Sequence, residues 1–112
     1  MLNLDKFENI FEETKQYSVA LVVTGTKWST PCKRYFQCVQ NISSVKVFLV
    51  DQEKSIEFFD DMEIVVGVPA TFLFNFGVIQ SFQRGGIEKD FLLGPLNSEQ
   101  VESIISKNPI NF

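Results

Sequence analysis

The residues best suited to chemistry in this sequence lie in one short segment, 28–33, which reads WSTPCK. It contains Cys32, and the second cysteine of the chain, Cys38, follows six residues later. Histidine is absent, so the chain has too few ligands for a zinc site of cysteine and histidine, and no histidine can activate a nucleophile. Thiol chemistry is therefore the first possibility to consider.

The position of Cys32 allows two interpretations. Pro-Cys opens a predicted helix, and the positive helix end with Lys27, Lys33 and Arg34 nearby favours a thiolate. The alternative is a shielded, structural thiol. A disulfide to Cys38 is excluded, because six residues of helix separate the cysteines by about 9 Å of rise. We expect Cys38 to belong to the core.

Hydrophobic periodicity and turn residues predict helices and strands along the whole chain. Short β-branched runs at 18–24 and 45–50 are typical of buried strands, and 69–82 predicts two strands with a turn near 75–77. Helices are predicted at 6–15, opened by an Asp5/Glu8 capping box, at 33–40 with Pro31 in the first turn, at 53–62, and after the capping box Asn97/Gln100.

The predicted order αβαβαββα describes one α/β domain over residues 1–112. Strands joined through a helix lie parallel with a right-handed crossover, whereas the closing hairpin is antiparallel. A mixed sheet of this kind needs helices on both faces. Twelve phenylalanines in 112 residues indicate a core built on aromatic packing.

The charge balance limits the classes of partner. The net charge of −4 argues against nucleic-acid binding through phosphate contacts and is compatible with a protein or peptide partner.

The apolar runs are too short to span a membrane, and residues 1–15 do not resemble a secretory signal. We expect a cytoplasmic or nuclear location, no metal and no cofactor. Six acidic residues between positions 51 and 63 are most simply a solvated helix face.

Three segments in order resemble the thioredoxin family. They are Trp28-Ser-Thr-Pro-Cys-Lys33, similar to the family's Trp-Cys-Gly-Pro-Cys-Lys; Val68-Pro-Ala-Thr71, similar to its Ile-Pro-Thr; and Leu93-Gly-Pro-Leu96, similar to its Val-Gly-Ala-Leu. The resemblance implies a thioredoxin fold, with a central mixed four-stranded sheet and helices on both faces. It also implies a cis Val68–Pro69 bond and a peptide-binding site at Trp28, Val68, Pro69 and Gly94.

The resemblance fails at the residues that carry the redox reaction. The family's attacking cysteine is replaced by Ser29, whose hydroxyl does not ionise near neutral pH; it is expected instead to cap the helix by accepting the amide of Cys32. The family's buried aspartate corresponds to Val23, and the lysine that pairs with it corresponds to Val47. These changes favour a non-enzymatic binding or adaptor domain. The alternative is a monothiol redox protein that works through Cys32 with glutathione or a partner's thiol.

Between residues 77 and 94 the chain is several residues longer than thioredoxins. The spliceosomal thioredoxin-like proteins, to which the chain has a weaker resemblance, carry a comparable extension and also keep only the second cysteine. Phe91 and Leu92 are more apolar than a surface loop requires, so we expect this segment to contact a partner. The alternative is that it covers a sheet edge or the end of the core.

Overall fold

The computed structural model describes residues 6–59, 64–84 and 86–106, without the side chains of Gln83, Arg84 and Ile87. The helices are α1 (Phe7–Glu13), α2 (Thr30–Gln40), α3 (Ile56–Phe59) and α4 (Ser98–Ser106), with single 3₁₀ turns at Thr14–Gln16 and Glu53–Ser55. The strands are β1 (Ala20–Gly25), β2 (Lys46–Asp51), β3 (Ala70–Asn75), β4 (Val78–Ile79), β5 (Phe82–Arg84), β6 (Ile87–Lys89) and β7 (Leu92–Leu93).

The main sheet has the strand order β2-β1-β3-β4, and β7 also pairs with β3. β1 and β2 are parallel, whereas β3 runs antiparallel to β1, β4 and β7. The predicted mixed sheet with one parallel and one antiparallel part is confirmed, and β7 adds a short fifth strand. β5 and β6 form a separate two-stranded hairpin.

Two apolar layers cover the sheet. On one face Leu21 and Val23 of β1 pack with residues of α2 and α4. On the other, Ala20 and Val22 pack with α1 and α3 in a cluster rich in phenylalanine. Every residue of β1 is buried, because both of its faces and both of its edges are covered. This burial explains its uninterrupted apolar sequence.

The buried residues of α2 show why the prediction for Cys38 is wrong. The buried positions are Cys32, Tyr35, Phe36 and Val39, which recur at the spacing of one helix face. Cys38 falls outside that stripe and is exposed. The helix begins at Thr30, earlier than the predicted range 33–40, and its N-cap is Ser29, as predicted.

The two predicted capping boxes have different outcomes. At α4 the box is confirmed, because Asn97 Oδ1 accepts the Gln100 N–H at 2.8 Å and Gln100 Oε1 accepts the Asn97 N–H at 3.0 Å. At α1, Asp5 lies outside the described residues. The Phe7 N–H donates instead to Ser55 Oγ at 2.8 Å, which ties α1 to the turn after β2.

Phe91 and Leu92, for which the sequence predicts a partner contact, have buried side chains. Phe91 is 8% exposed and packs against Phe72, while Leu92 is 3% exposed and joins the cluster under α2. Leu92 begins β7, which pairs with β3, and Phe91 precedes that strand and lies in the cluster on the other face of the sheet. The burial of these two side chains favours the alternative, that the extension covers the core.

Candidate thiol site and its cover

The thiol of Cys32 lies where β1 meets the start of α2. Gly25 at the end of β1 lets the helix approach, since a Cβ at that position would lie 2.8 Å from Cys32 Sγ and 2.7 Å from Phe36 Cζ. Ser29 Oγ accepts the Cys32 N–H at 3.5 Å, as the sequence predicted. Cys32 is 0% exposed. The structural interpretation of this thiol is therefore the one that the geometry supports.

A loop that precedes β3 lies over the thiol of Cys32 and covers it from solvent. The carbonyl oxygen of Gly67 accepts the hydroxyl of Ser29 at 2.6 Å and the thiol of Cys32 at 3.3 Å. Gly67 has φ +93°, and a Cβ there would lie 2.7 Å from Trp28 Cη2, so glycine is required both for the backbone and for the contact. We call residues 65–68 the covering loop.

Gln52 fixes the covering loop and was not identified from the sequence. Its side chain is fully buried at the end of β2, where its Oε1 accepts the Gly67 N–H at 3.0 Å. Its Nε2 donates to Val68 O at 2.8 Å and to Thr24 Oγ1 at 3.2 Å. Both ends of the amide are thus used inside the protein. The signal in the sequence is weak, because Gln52 stands among charged residues that predict a solvated surface.

The prediction of a cis Val68–Pro69 bond is wrong. No cis peptide bond occurs among the described residues, which include Val68 and Pro69. The trans isomer is the more stable one for an X–Pro bond, and Gln52 holds the backbone on both sides of Val68 without a cis bond. Gly67, two residues before the proline, presents the carbonyl that faces the thiol.

The backbone groups expected to bind a peptide are occupied within the chain. Val68 O accepts Gln52, and the Val68 N–H donates to Val65 O at 3.1 Å. Pro69 O accepts the Gly94 N–H at 2.7 Å. Of the predicted peptide-binding residues, the structure therefore brings Pro69 and Gly94 together, but in a contact with each other.

The positions of the family's buried acid–base pair contain no titratable group. Val23 is fully buried in the layer under α2, and Val47 is half-buried on β2. The described residues also contain no group of three acidic, cysteine or histidine side chains placed to hold a metal ion. None of the described helices is long and apolar enough to cross a membrane.

A buried phenolic hydroxyl belongs to Tyr35, one turn along α2 from Cys32. Burial raises the pKa of Tyr35 to about 12, although a 2.7 Å hydrogen bond with Thr71 Oγ1 acts in the opposite direction. The hydroxyl therefore keeps its proton at neutral pH and links α2 to β3.

Apolar side chains surround the closed site on its outer surface. Trp28 is 61% exposed, and its indole N–H donates to Glu53 Oε1 at 2.6 Å. In the covering loop Val65 is 54% and Val66 38% exposed. Leu93, next to the Gly94–Pro69 contact, is also exposed. We call Trp28, Val65, Val66 and Leu93 the apolar rim.

Comparison with solved structures identifies the fold. A mutant thioredoxin from Halobacterium salinarum matches with a TM-score of 0.68 and 15% identity over 97% of this chain and 90% of that chain. Thioredoxin from Fasciola hepatica gives 0.65 and 17% over 90% and 89%, and thioredoxin from Trichomonas vaginalis gives 0.63 and 21% over 94% and 93%. No family model and no curated protein matches the sequence. At these identities the likeness establishes the fold alone: this is a thioredoxin fold.

Proposed function

We propose that the chain uses its thioredoxin fold as a non-enzymatic binding or adaptor domain for a protein or peptide. The observation that carries the proposal is the closed thiol site: Cys32 is fully buried beneath Gly67 O, and a serine stands where thioredoxins have the attacking cysteine. Disulfide exchange needs a thiolate that can reach the sulfur of its target. A sulfur without solvent exposure does not meet that requirement.

The geometry also opposes the monothiol alternative. A mixed disulfide with glutathione or a partner's thiol would have to form at Cys32 Sγ, inside the covering loop. Opening that loop would break the bonds of Gly67 with Ser29 and Gln52. Because the freed groups are part-buried polar atoms, each broken bond opposes opening by about 1 kcal/mol.

The apolar rim is the surface that supports binding. Its tryptophan and aliphatic side chains are exposed at the end of the domain where the covering loop meets α2. Aromatic side chains are enriched at the centres of protein interfaces, because they bury a large area at a low cost in conformational entropy. We therefore place the partner on the rim and not on the backbone of Val68 and Pro69.

Capture experiments with the immobilised chain separate binding from thiol chemistry. We expect the wild type and Cys32→Ser to retain the same protein, and Val65→Lys to lose it. Val78→Lys is the matched control, since Val78 is 62% exposed on β4 and lies outside the rim. Capture that requires Cys32 and is released by dithiothreitol would contradict the proposal and favour the monothiol alternative.

A further inference from the structure

β2 forms an open edge of the main sheet. It pairs with β1 on one side, and within the described residues no strand lies on its other side. The opposite boundary of the sheet consists of β4 and β7, with two residues each, whereas β2 has six. Long open edges expose a row of backbone donors and acceptors to other chains.

The direction of the backbone groups of β2 follows from one hydrogen bond. Gln52 N–H donates to Gly25 O at 2.9 Å, and Gly25 is in register with Asp51. In a parallel pair, the N–H and C=O of successive residues point alternately toward and away from the neighbouring strand. The backbone N–H and C=O groups of Phe48 and Val50 therefore point toward β1. The backbone groups of Val47 and Leu49 point away from β1, to the open side of the strand.

This edge lies in a groove of about 570 Å³. Its walls are Glu13 at the end of α1, and Gln40 and Ile42 at the end of α2. The central part of the strand, 47–50, contains no charge, proline or glycine, the devices that commonly protect an edge. Lys46 is the exposed charge at one end, and its Nζ lies over the rings of Tyr17 and Phe48, at 5.9 Å and 5.5 Å from their centres.

We propose that this edge is a self-association surface, on which a second copy of the chain pairs antiparallel through its own β2. In a two-fold antiparallel pair, outward-facing residues meet outward-facing residues. With the axis at Phe48, Val47 of one copy exchanges both backbone hydrogen bonds with Leu49 of the other. Phe48 then faces the second Phe48 as a non-hydrogen-bonded pair, in which side chains are closest.

The sequence and backbone of β2 fit the groove that a second copy of β2 would occupy. A strand that fills the groove needs outward donors and acceptors at alternate positions and apolar side chains toward both layers. β2 has both, since Val47 and Leu49 pack against one core layer and Phe48 against the other. A single strand pair buries an area at the small end of specific interfaces, about 1,200 Å² or less. The expected dimer is weak, with a dissociation constant on the order of 10 μM.

Sedimentation equilibrium from about 1 μM to about 1 mM chain tests the pairing. We expect a monomer at the lower end and a dimer at the upper end. Val47→Pro should abolish the dimer and keep cooperative thermal unfolding, because the lost N–H is one that does not bond to β1. Val65→Lys and Val78→Lys are controls that should dimerise like the wild type, so failure here is distinguishable from failure of the rim proposal.

Amide hydrogen exchange at the same concentrations gives a second readout, and it remains usable where Val47→Pro fails to fold. The amides of Val47 and Leu49 should gain protection as the concentration rises, while those of Phe48 and Val50 should be protected throughout. A monomer at about 1 mM would overturn the proposal. So would a dimer in which the amides of Val47 and Leu49 exchange as in the monomer.

Discussion

Ser29 has two structural roles at the start of α2. Its oxygen accepts the Cys32 amide at the start of α2, and its hydroxyl donates to Gly67 O. The Ser29 hydroxyl thus acts both as a donor and as an acceptor within the protein, and it joins the start of α2 to the covering loop. The sequence predicted the first of these bonds, since serine is a preferred N-cap, but not the second, which depends on the path of a loop 38 residues away.

Replacing Ser29 should therefore cost stability. We expect Ser29→Ala to lower the free energy of unfolding by about 1–3 kcal/mol, the combined effect of a lost cap and a lost buried hydrogen bond. Urea denaturation measures the change, and Thr30→Ala, at the exposed neighbour, is the control. A loss below about 0.5 kcal/mol would show that the contact with Gly67 contributes little.

A cysteine at position 29 should not give the chain disulfide reductase activity. Ser29→Cys recreates the Cys-X-X-Cys spacing, but Val23 still provides no proton acceptor and the covering loop still closes over Cys32. We expect reduction of insulin by dithiothreitol to proceed no faster with this variant than without protein. Turnover close to that of a thioredoxin assayed in parallel would contradict this interpretation of the site.

Tyr35 gives the protein a pH dependence in alkaline solution. The folded chain holds the Tyr35 proton up to a pKa of about 12, whereas the unfolded chain releases it near 10.0. Between these values the unfolded chain binds fewer protons, so stability falls as the pH rises, by at most about 1.4 kcal/mol per pH unit. Tyr35→Phe should remove this component of the slope in urea denaturation, and Tyr17→Phe should retain it. Equal slopes for wild type and Tyr35→Phe would contradict the assignment.

At the scale of elements, the covering loop depends on a side chain from another strand. Gln52 follows β2 directly. Its side-chain amide forms hydrogen bonds with the backbone of Gly67 and Val68 and with the hydroxyl of Thr24 on β1. Such a link between sequence-distant segments leaves no periodic pattern, which explains why the sequence did not reveal it. The elements themselves could be predicted, because β1, β2 and β3 each contain a run of apolar residues and α4 has a complete capping box.

Other errors at this scale also arise from tertiary contacts. A partner contact was predicted at Phe91 and Leu92 because they are more apolar than a surface loop requires, but both side chains are buried, and Leu92 belongs to β7, which pairs with β3. The cis Val68–Pro69 bond was predicted from the resemblance alone, and the hydrogen bonds of Gln52 that hold this loop could not be read from the sequence. Cys38 is the exception, because its exposure follows from the helix period of α2 and could have been read from the sequence.

Removing the Gln52 amide should loosen the covering loop. Gln52→Leu keeps the approximate shape of the side chain but leaves the Gly67 N–H and Val68 O unpaired, so we expect a loss of about 2–4 kcal/mol in the free energy of unfolding. In the folded state, Cys32 should react with iodoacetamide faster than in the wild type. Gln37→Leu, on the exposed face of α2, should change neither quantity. Unchanged labelling of Cys32 in Gln52→Leu would show that the loop is held by other contacts.

At the scale of the whole molecule, the two proposed surfaces lie on different parts of the fold. The apolar rim is at the end of the sheet where β1 leads into α2, and the open edge is along β2. A chain that binds a partner through the rim could pair with a second copy through the edge at the same time. The buried thiol lies beneath the covering loop and takes part in neither surface. The binding function proposed for the rim requires that Cys32 is not a redox centre, whereas pairing through the β2 edge does not depend on this thiol.

Alkylation of the folded protein tests that requirement most directly, because the chain contains its own reference thiol. Cys38 is exposed on the same helix as the buried Cys32, and peptide mass spectrometry distinguishes them. With iodoacetamide at pH 7, we expect Cys38 to be labelled at the rate of a free cysteine. Cys32 should be labelled at least about a hundredfold more slowly, until denaturant unfolds the domain. Labelling of Cys32 in the folded protein as fast as that of Cys38 would contradict the closed site and the binding function built on it.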